Sequence, residues 1–207
     1  MTTDTPAGLA ALLHRRSASA LTQPGPTDAQ LALLLEAATT VPDHGALHPW
    51  RFVVVRDEAR ASLGDALAAD ATAALGPGNE GKTSKIRGKA FVAPTMIVLV
   101  ASPQDSAKVP TWEQVCSASC TGYAIALAAD DLGLGAVWKT APYLSGPALS
   151  ALLALQPDEV VLGWINVGTR RHEAEPERLR VDVSAVSMEL GSAGLRPFVS
   201  APRRGSP

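Results

Sequence analysis

The chain has 207 residues, 46% of them hydrophobic, with 18 Lys and Arg against 20 Asp and Glu, for a formal net charge of −2. One domain of this length buries roughly 70% of its unfolded surface, and the near-neutral balance excludes the broad basic face of a nucleic-acid or membrane-surface binder. No apolar run is long enough to span a bilayer, no long apolar core follows Asp4, and two cysteines make no disulfide framework; the expectation is a cytoplasmic protein with no nucleic-acid or membrane partner.

An apolar stretch, Leu9 to Leu13, leads into Arg15-Arg16-Ser17. Only 18% of the chain is charged, so two adjacent guanidiniums and a hydroxyl predict a local anion site. Arginine forks match phosphate oxygens in a bidentate way, and the hydroxyl adds a donor. Pro26-Thr27-Asp28 followed by Gln30 predicts a helix start, with Thr27 as cap and Gln30 reaching back. That helix runs through Leu31, Leu34, Leu35 and Ala38 and stops before Pro42. Pro42-Asp43-His44-Gly45 and His48-Pro49-Trp50 bracket a turn just before a strand, Arg51 to Val55.

Ala59 to Leu75 predicts a second amphipathic helix, and the polar, glycine-rich Gly76 to Lys89 a mobile loop. Thr95 to Val100 has no polar alternation and predicts a buried strand. Pro110 to Asp131 is the longest helical pattern, and its many small residues place it at the centre of the fold or against a partner subunit. Cys116 and Cys120 share one face of it and are expected in the core. Gly133 and Gly135 end this helix, and Ala136 to Trp138 begin an extended segment. Ser145 to Leu155 predicts a helix and Val160 to Val167 a strand. After Leu190 the composition turns to Gly, Pro, Ser and Arg. The expected organisation is one domain over residues 1–190 and an arm or disordered tail over 191–207. The fold class is α+β, a sheet flanked by several helices.

Gly76-Pro77-Gly78-Asn79-Glu80-Gly81-Lys82-Thr83 has P-loop spacing. A P-loop works because it follows a buried strand and opens a helix, so that amides and dipole converge on phosphate. Here the preceding segment reads as helix and Pro77 removes a donor, so a solvated loop is the better reading. Gly133-Leu134-Gly135 follows a helix rather than a strand and reads as a terminator, not half a dinucleotide fingerprint. His44 and His48 have helical metal-ligand spacing, but Pro42, Gly45 and Pro49 oppose a helix there, and no metal site is assigned. No Gly-x-Ser-x-Gly elbow or other catalytic side-chain constellation occurs.

Five pieces in order carry a resemblance: Arg15-Arg16-Ser17-Ala18-Ser19; Pro42-Asp43-His44 with Pro49-Trp50; Lys108-Val109-Pro110 with Trp112-Glu113-Gln114; Gly133 to Trp138; and Gly168-Thr169. With them the chain resembles the FMN-dependent nitroreductase superfamily, in particular its small YdjA-type bacterial branch. The resemblance implies a central, mostly antiparallel sheet flanked by helices and an intertwined homodimer with FMN at the subunit interface. It implies an NAD(P)H oxidoreductase that passes hydride through flavin N5 to a nitroaromatic, quinone or similar electrophilic acceptor. Arg15, Arg16 and Ser17 align with the FMN anchor, mainly at its phosphate end. Thr40 and His44 fall at positions facing the flavin, Trp138, Lys139 and Thr140 at a second FMN-contacting stretch, and Ala128 to Gly133 at a nicotinamide stretch. Three positions depart from relatives: Thr40 stands where they have arginine, His48 where they have glutamine, and Lys139 where they have arginine. An arginine fork lost from a phosphate costs about 1.5–3 kcal/mol, so weakened FMN binding is expected. A flavin-sequestering protein without turnover, an enzyme that degrades reduced flavin with oxygen, and a P-loop nucleotide hydrolase through Gly76–Thr83 are the other readings.

Overall fold

Short polar signals set most element boundaries in the computed structural model, which describes residues 6–18, 20–171, 181–192 and 194–199. The chain divides into two units, Met1–Glu175 and Pro176–Pro207. The first begins with α1 (Ala7–His14) and a two-residue strand β1 (Leu21–Thr22). α2 (Asp28–Ala38) opens on the predicted capping box. Thr27 Oγ1 accepts the Gln30 amide at 3.2 Å, and Gln30 Oε1 accepts the Thr27 amide at 3.0 Å. Then come β2 (Trp50–Arg56), α3 (Ala59–Leu75), α4 (Glu80–Gly88), β3 (Thr95–Ala101), α5 (Thr111–Asp131), β4 (Gly135–Lys139), α6 (Pro147–Leu152) and β5 (Val160–Arg170).

All pairings are antiparallel, and β5 is the hub. β3 lies along one edge of β5 and β4 along the other, β1 pairs with the C-terminal end of β5, and β2 pairs with β3. Every residue of β3 is buried, because both faces of the sheet are covered. Met96, Val98 and Val100 pack with Trp164 against Leu63 and Leu67 of α3, Ile86 of α4 and Leu149 of α6. Ile97 and Leu99 pack with Ile165 and Val167 against Leu31 and Leu34 of α2 and Ile125 and Ala129 of α5. The result is a three-layer α/β/α arrangement; α5, expected at the centre of the fold or against a partner subunit, lies with α2 on one face of the central sheet. At Gly122 a side chain would meet Leu99 at 2.6 Å and the Trp138 ring at 2.8 Å; only glycine lets the helix come this close.

Three expectations are corrected. Gly76 to Lys89 is not a loop throughout, since α4 occupies most of it. One buried residue, Ile86, carries its packing, and a single apolar residue in nine leaves no periodicity to read. Glu80 in its first turn and Lys85 and Arg87 in its last suit the helix dipole. Cys116 and Cys120 are exposed, not core. The buried stripe of α5 runs through Gln114, Ala118, Thr121, Gly122, Ile125, Ala126 and Ala129, and the cysteines lie out of phase with it. α6 is also shorter than predicted, beginning at Pro147 and ending before Ala154, which takes a left-handed φ of 48°.

In the second unit β6 (Met188–Gly191) and β7 (Gly194–Pro197) form an antiparallel hairpin. The arm expected beyond residue 190 thus carries regular structure to Pro197, and residues 200–207 lie outside the described ones. Met188, Leu190 and Leu195 of the hairpin are exposed.

Candidate functional site

Arg15 closes α1 in an extended conformation, and the chain that follows runs beside β4, where the Ala18 amide donates to Ala136 O at 2.9 Å. A side chain at Gly135 would overlap Leu21 and Arg170, so this glycine admits the segment in addition to following the helix end. The left-handed φ of 73° at Gly133 makes it the terminator that the sequence predicted. The Arg15 guanidinium sits over the Tyr123 ring of α5, 5.6 Å from its centroid. Its Nε is buried without a hydrogen-bond partner. Arg16 donates to Arg15 O at 3.3 Å. Among the described residues neither arginine has a carboxylate partner. Ser17 is exposed beside them.

From Ala136 to Thr140 the strand advances roughly 13 Å at about 3.3 Å per residue. The Ala136 carbonyl points away from β5 to reach Ala18, and the pleat puts the Trp138 amide and carbonyl on the same outer edge. The Trp138 indole itself serves the fold. Its Nε1–H donates to Leu162 O at 3.0 Å, and its ring fills the space over Gly122. Lys139 and Thr140 are exposed at the strand end. There Lys89 Nζ donates to Thr140 O at 3.0 Å. Lys89 escaped the sequence reading because the segment holding it read as a mobile loop.

Pro42 to Pro49 forms the second cluster. Gly45, Ala46 and His48 take left-handed φ values of 81°, 50° and 50°. Such backbone is costly for the non-glycine residues, and side chains and α5 hold it. Asp43 Oδ2 accepts the His48 amide at 2.8 Å, and the His48 ring meets Trp50 edge-on at 5.8 Å. Two contacts pin the loop to α5: Ser117 Oγ donates to Pro42 O at 2.5 Å, and His44 Nδ1 lies 2.7 Å from Glu113 Oε1. His44, Glu113, Cys116, Ser117 and Cys120 line a cavity of about 250 Å³. Gln114, buried, holds the neighbouring loop by accepting from Gln104 N and donating to Gln104 O and Val109 O. Thr40 is exposed, its hydroxyl donating to Ala37 O at 2.8 Å.

The segment that follows Arg15, Arg16 and Ser17 therefore meets the start of β4 at Ala18, and Trp138 and Lys139 form its end with Thr140 just beyond. Thr40 and His44 are not brought to them. Glu113 and Tyr123, the α5 residues that hold His44 and Arg15, stand ten positions apart, roughly 15 Å along the helix axis. The P-loop-like stretch is no phosphate cradle. It follows α3 rather than a strand, and Glu80 Oε1 already accepts the Gly78 amide at 3.1 Å. Backbone hydrogen bonds at Glu80 and Gly78 hold that carboxyl below its ordinary range.

The nitroreductase family profile matches residues 12–169. The chain belongs to the nitroreductase family. Among nitroreductase relatives, the Escherichia coli K12 protein named "Putative NAD(P)H nitroreductase YdjA" is 35% identical over 79% of this chain and 88% of its own length. A Haemophilus influenzae protein named "Putative NAD(P)H nitroreductase" is 37% identical over 84% of this chain and 94% of its own. Solved structures carry the same nitroreductase fold. A nitroreductase-like family protein from Bacillus cereus superposes with a TM-score of 0.76 at 23% identity, covering 90% of this chain and 97% of that one. A Desulfovibrio desulfuricans structure, described as a putative nitroreductase in complex with FMN, superposes with a TM-score of 0.68 at 25% identity, covering 95% of this chain and 100% of that one. The expected α+β nitroreductase architecture, with its mostly antiparallel sheet, thus holds. No described helix is long and apolar enough to cross a membrane.

Proposed function

We propose that this nitroreductase is an FMN-dependent NAD(P)H oxidoreductase that works as a homodimer and reduces an electrophilic acceptor such as a nitroaromatic or a quinone. The observation that carries the reading is the pair of guanidiniums in the segment that leads to the start of β4. Arg15 and Arg16 have no carboxylate partner among the described residues, and the buried Arg15 Nε is unsatisfied. A buried donor without an acceptor costs about 1–3 kcal/mol, and a phosphate oxygen would relieve it. The residues therefore fit the phosphate end of FMN, with Ser17 as a further donor. Trp138, Lys139 and Thr140 would face the other end of the cofactor from the outer edge of β4, Lys139 contributing its charge. When bound, FMN supplies the hydride chemistry, and the protein supplies binding, orientation and electrostatics. This division suits a chain with no assigned catalytic acid or nucleophile.

The homodimer rests on two further observations. His44 meets α5 at Glu113 and Arg15 meets it at Tyr123, far apart along the helix, so a second copy would bring its own loop to the site. Apolar surface is also left uncovered: Leu9, Leu12 and Leu13 of α1, with Tyr123 beside them on α5, are 41–47% exposed. The hairpin of the second unit exposes Leu190 and Leu195 as well, and an isolated two-stranded hairpin is marginally stable at best.

The test is the visible spectrum of the purified protein before and after adding FMN, with NAD(P)H oxidation measured against a nitroaromatic and a quinone. Flavin absorbance and acceptor-dependent turnover are expected, and Arg16→Ala should weaken FMN binding by about tenfold or more. Failure to take up FMN overturns the reading. FMN uptake without turnover favours the sequestering alternative, which Thr40 and Lys139 in place of arginines motivate.

A further inference from the structure

The contact between His44 and Glu113 has a directional consequence. Glu113 stands in the first turn of α5, where the helix dipole favours negative charge. Its Oε1 lies 2.7 Å from Nδ1 of His44, and a carboxylate only accepts. Nδ1 must therefore carry the proton. In a neutral imidazole the other nitrogen, Nε2, then presents a lone pair. The loop that carries the ring is itself held. Pro42 is tied to Ser117, and Asp43 is tied to the His48 amide. Gly45 packs against Val109, whose carbonyl is held by the buried Gln114.

We propose that Glu113 is a positioning residue that fixes His44 in its Nδ1–H tautomer, so that Nε2 takes a donor group of FMN rather than its phosphate. On FMN the donors are the ribityl hydroxyls and the N3–H of the ring; the phosphate offers only acceptor oxygens at neutral pH. The assignment separates the two clusters by chemistry: Arg15 and Arg16 take acceptors, His44 takes a donor. It rests on the FMN reading above, but the tautomer itself does not require bound flavin.

The experiment has two arms. In the first, long-range nitrogen–proton spectra of protein labelled with nitrogen-15 in histidine are recorded without flavin at pH 8.5, above the ordinary imidazole range, with His44→Gln used to assign the signal. The Nδ1–H pattern is expected for His44 in the wild type and in Glu113→Gln, whose amide oxygen still accepts. The Nε2–H pattern is expected in Glu113→Leu. In the second arm, FMN affinity is titrated by flavin fluorescence. Glu113→Leu should bind about fivefold more weakly, one hydrogen bond's worth, and Glu113→Gln should stay near wild type. A wild-type Nε2–H pattern overturns the proposal, as does a Glu113→Leu protein that keeps either the tautomer or the affinity. If the wild type takes no FMN, the flavin reading falls by itself, and the spectra still decide whether Glu113 sets the tautomer.

Discussion

Glu159→Gln tests how the base of the loop-bearing strand is anchored. Arg51, the second residue of β2, sends Nε and an NH2 group to the two carboxylate oxygens of Glu159 at 2.7 and 2.6 Å, and the same NH2 group to Leu153 O at 2.9 Å. The Glu159 side chain is 4% exposed and also accepts the Gln156 amide. Hydrogen bonding from Arg51 holds the carboxyl down at about 2 from an ordinary 4.5, against the opposing effect of burial. Because the folded value is the lower one, the stabilisation is complete above the unfolded value and is lost as pH falls toward 2. At about 1.4 kcal/mol per pH unit the interval corresponds to about 3 kcal/mol at pH 7 and roughly 1.5 kcal/mol at pH 3. Urea unfolding of wild type and Glu159→Gln across pH 3 to 7 measures this. The variant should be less stable by about 3 kcal/mol at neutral pH, in line with breaking a buried pair, and the gap should shrink by about half at pH 3. A gap that is constant with pH would refute the reasoning, because the variant would then be losing packing rather than a pH-linked ion pair. Trp50 and Pro49 precede Arg51 directly, so the same variant should also loosen the exit of the 42–48 loop.

Gly122→Ala should cost about 1–3 kcal/mol by overpacking α5 against Leu99 and Trp138; a thermal melt followed by tryptophan fluorescence reads both the loss and the displaced indole. Asp70 is buried and accepts the Ala148 and Leu149 amides at 2.9 Å, capping α6. Asp70→Ala should cost about 1–3 kcal/mol in urea unfolding by leaving those donors unpaired. Ending the chain after Glu175 removes the hairpin unit. If its exposed leucines cover a second copy, at about 1.5–3 kcal/mol for each buried side chain, sedimentation should show the dimer dissociating at least tenfold more readily. An unchanged oligomer would assign the interface to the first unit alone.

Elements whose physics is local were legible in the sequence. The capping box at Thr27 and Gln30 marked α2 because both partners lie within one turn. The unbroken apolar run of β3 announced a buried strand; the small residues of α5 announced close approach of a neighbour but not that the neighbour is the sheet, at Leu99 and Trp138. What depends on tertiary contact was not legible. α4 is a helix because Ile86 reaches the cluster formed with Leu63 and Leu67, contacts more than fifteen positions away. The exposure of Cys116 and Cys120 follows from the phase of α5 on the sheet, which composition cannot supply. β1 is two residues long and exists because Leu21 and Thr22 find Arg170 and Thr169.

The candidate site divides along the same line. Arg15-Arg16-Ser17 was visible because adjacent guanidiniums are conspicuous in a sparsely charged chain, and their lack of carboxylate partners is what the structure adds. Trp138 was visible as part of a family stretch, yet its indole is spent on Leu162 and Gly122, so what β4 presents at that position is backbone. Lys89 was hidden. It arrives at Thr140 from a part of the chain that read as loop, and it puts a second ammonium near Lys139, which by the resemblance stands in place of an arginine. A guanidinium offers charge and a fork together, whereas two lysines restore the charge without the fork. The end of β4 is therefore positive but undirected, and the directed hydrogen bonds of the proposed site fall to Arg15 and Arg16 on one side and to the His44–Glu113 pair on the other. As proposed, such a site would hold its ligand by two oriented contacts of opposite sense, acceptor to arginine and donor to histidine, and a ligand with a phosphate but no donor would satisfy only the first.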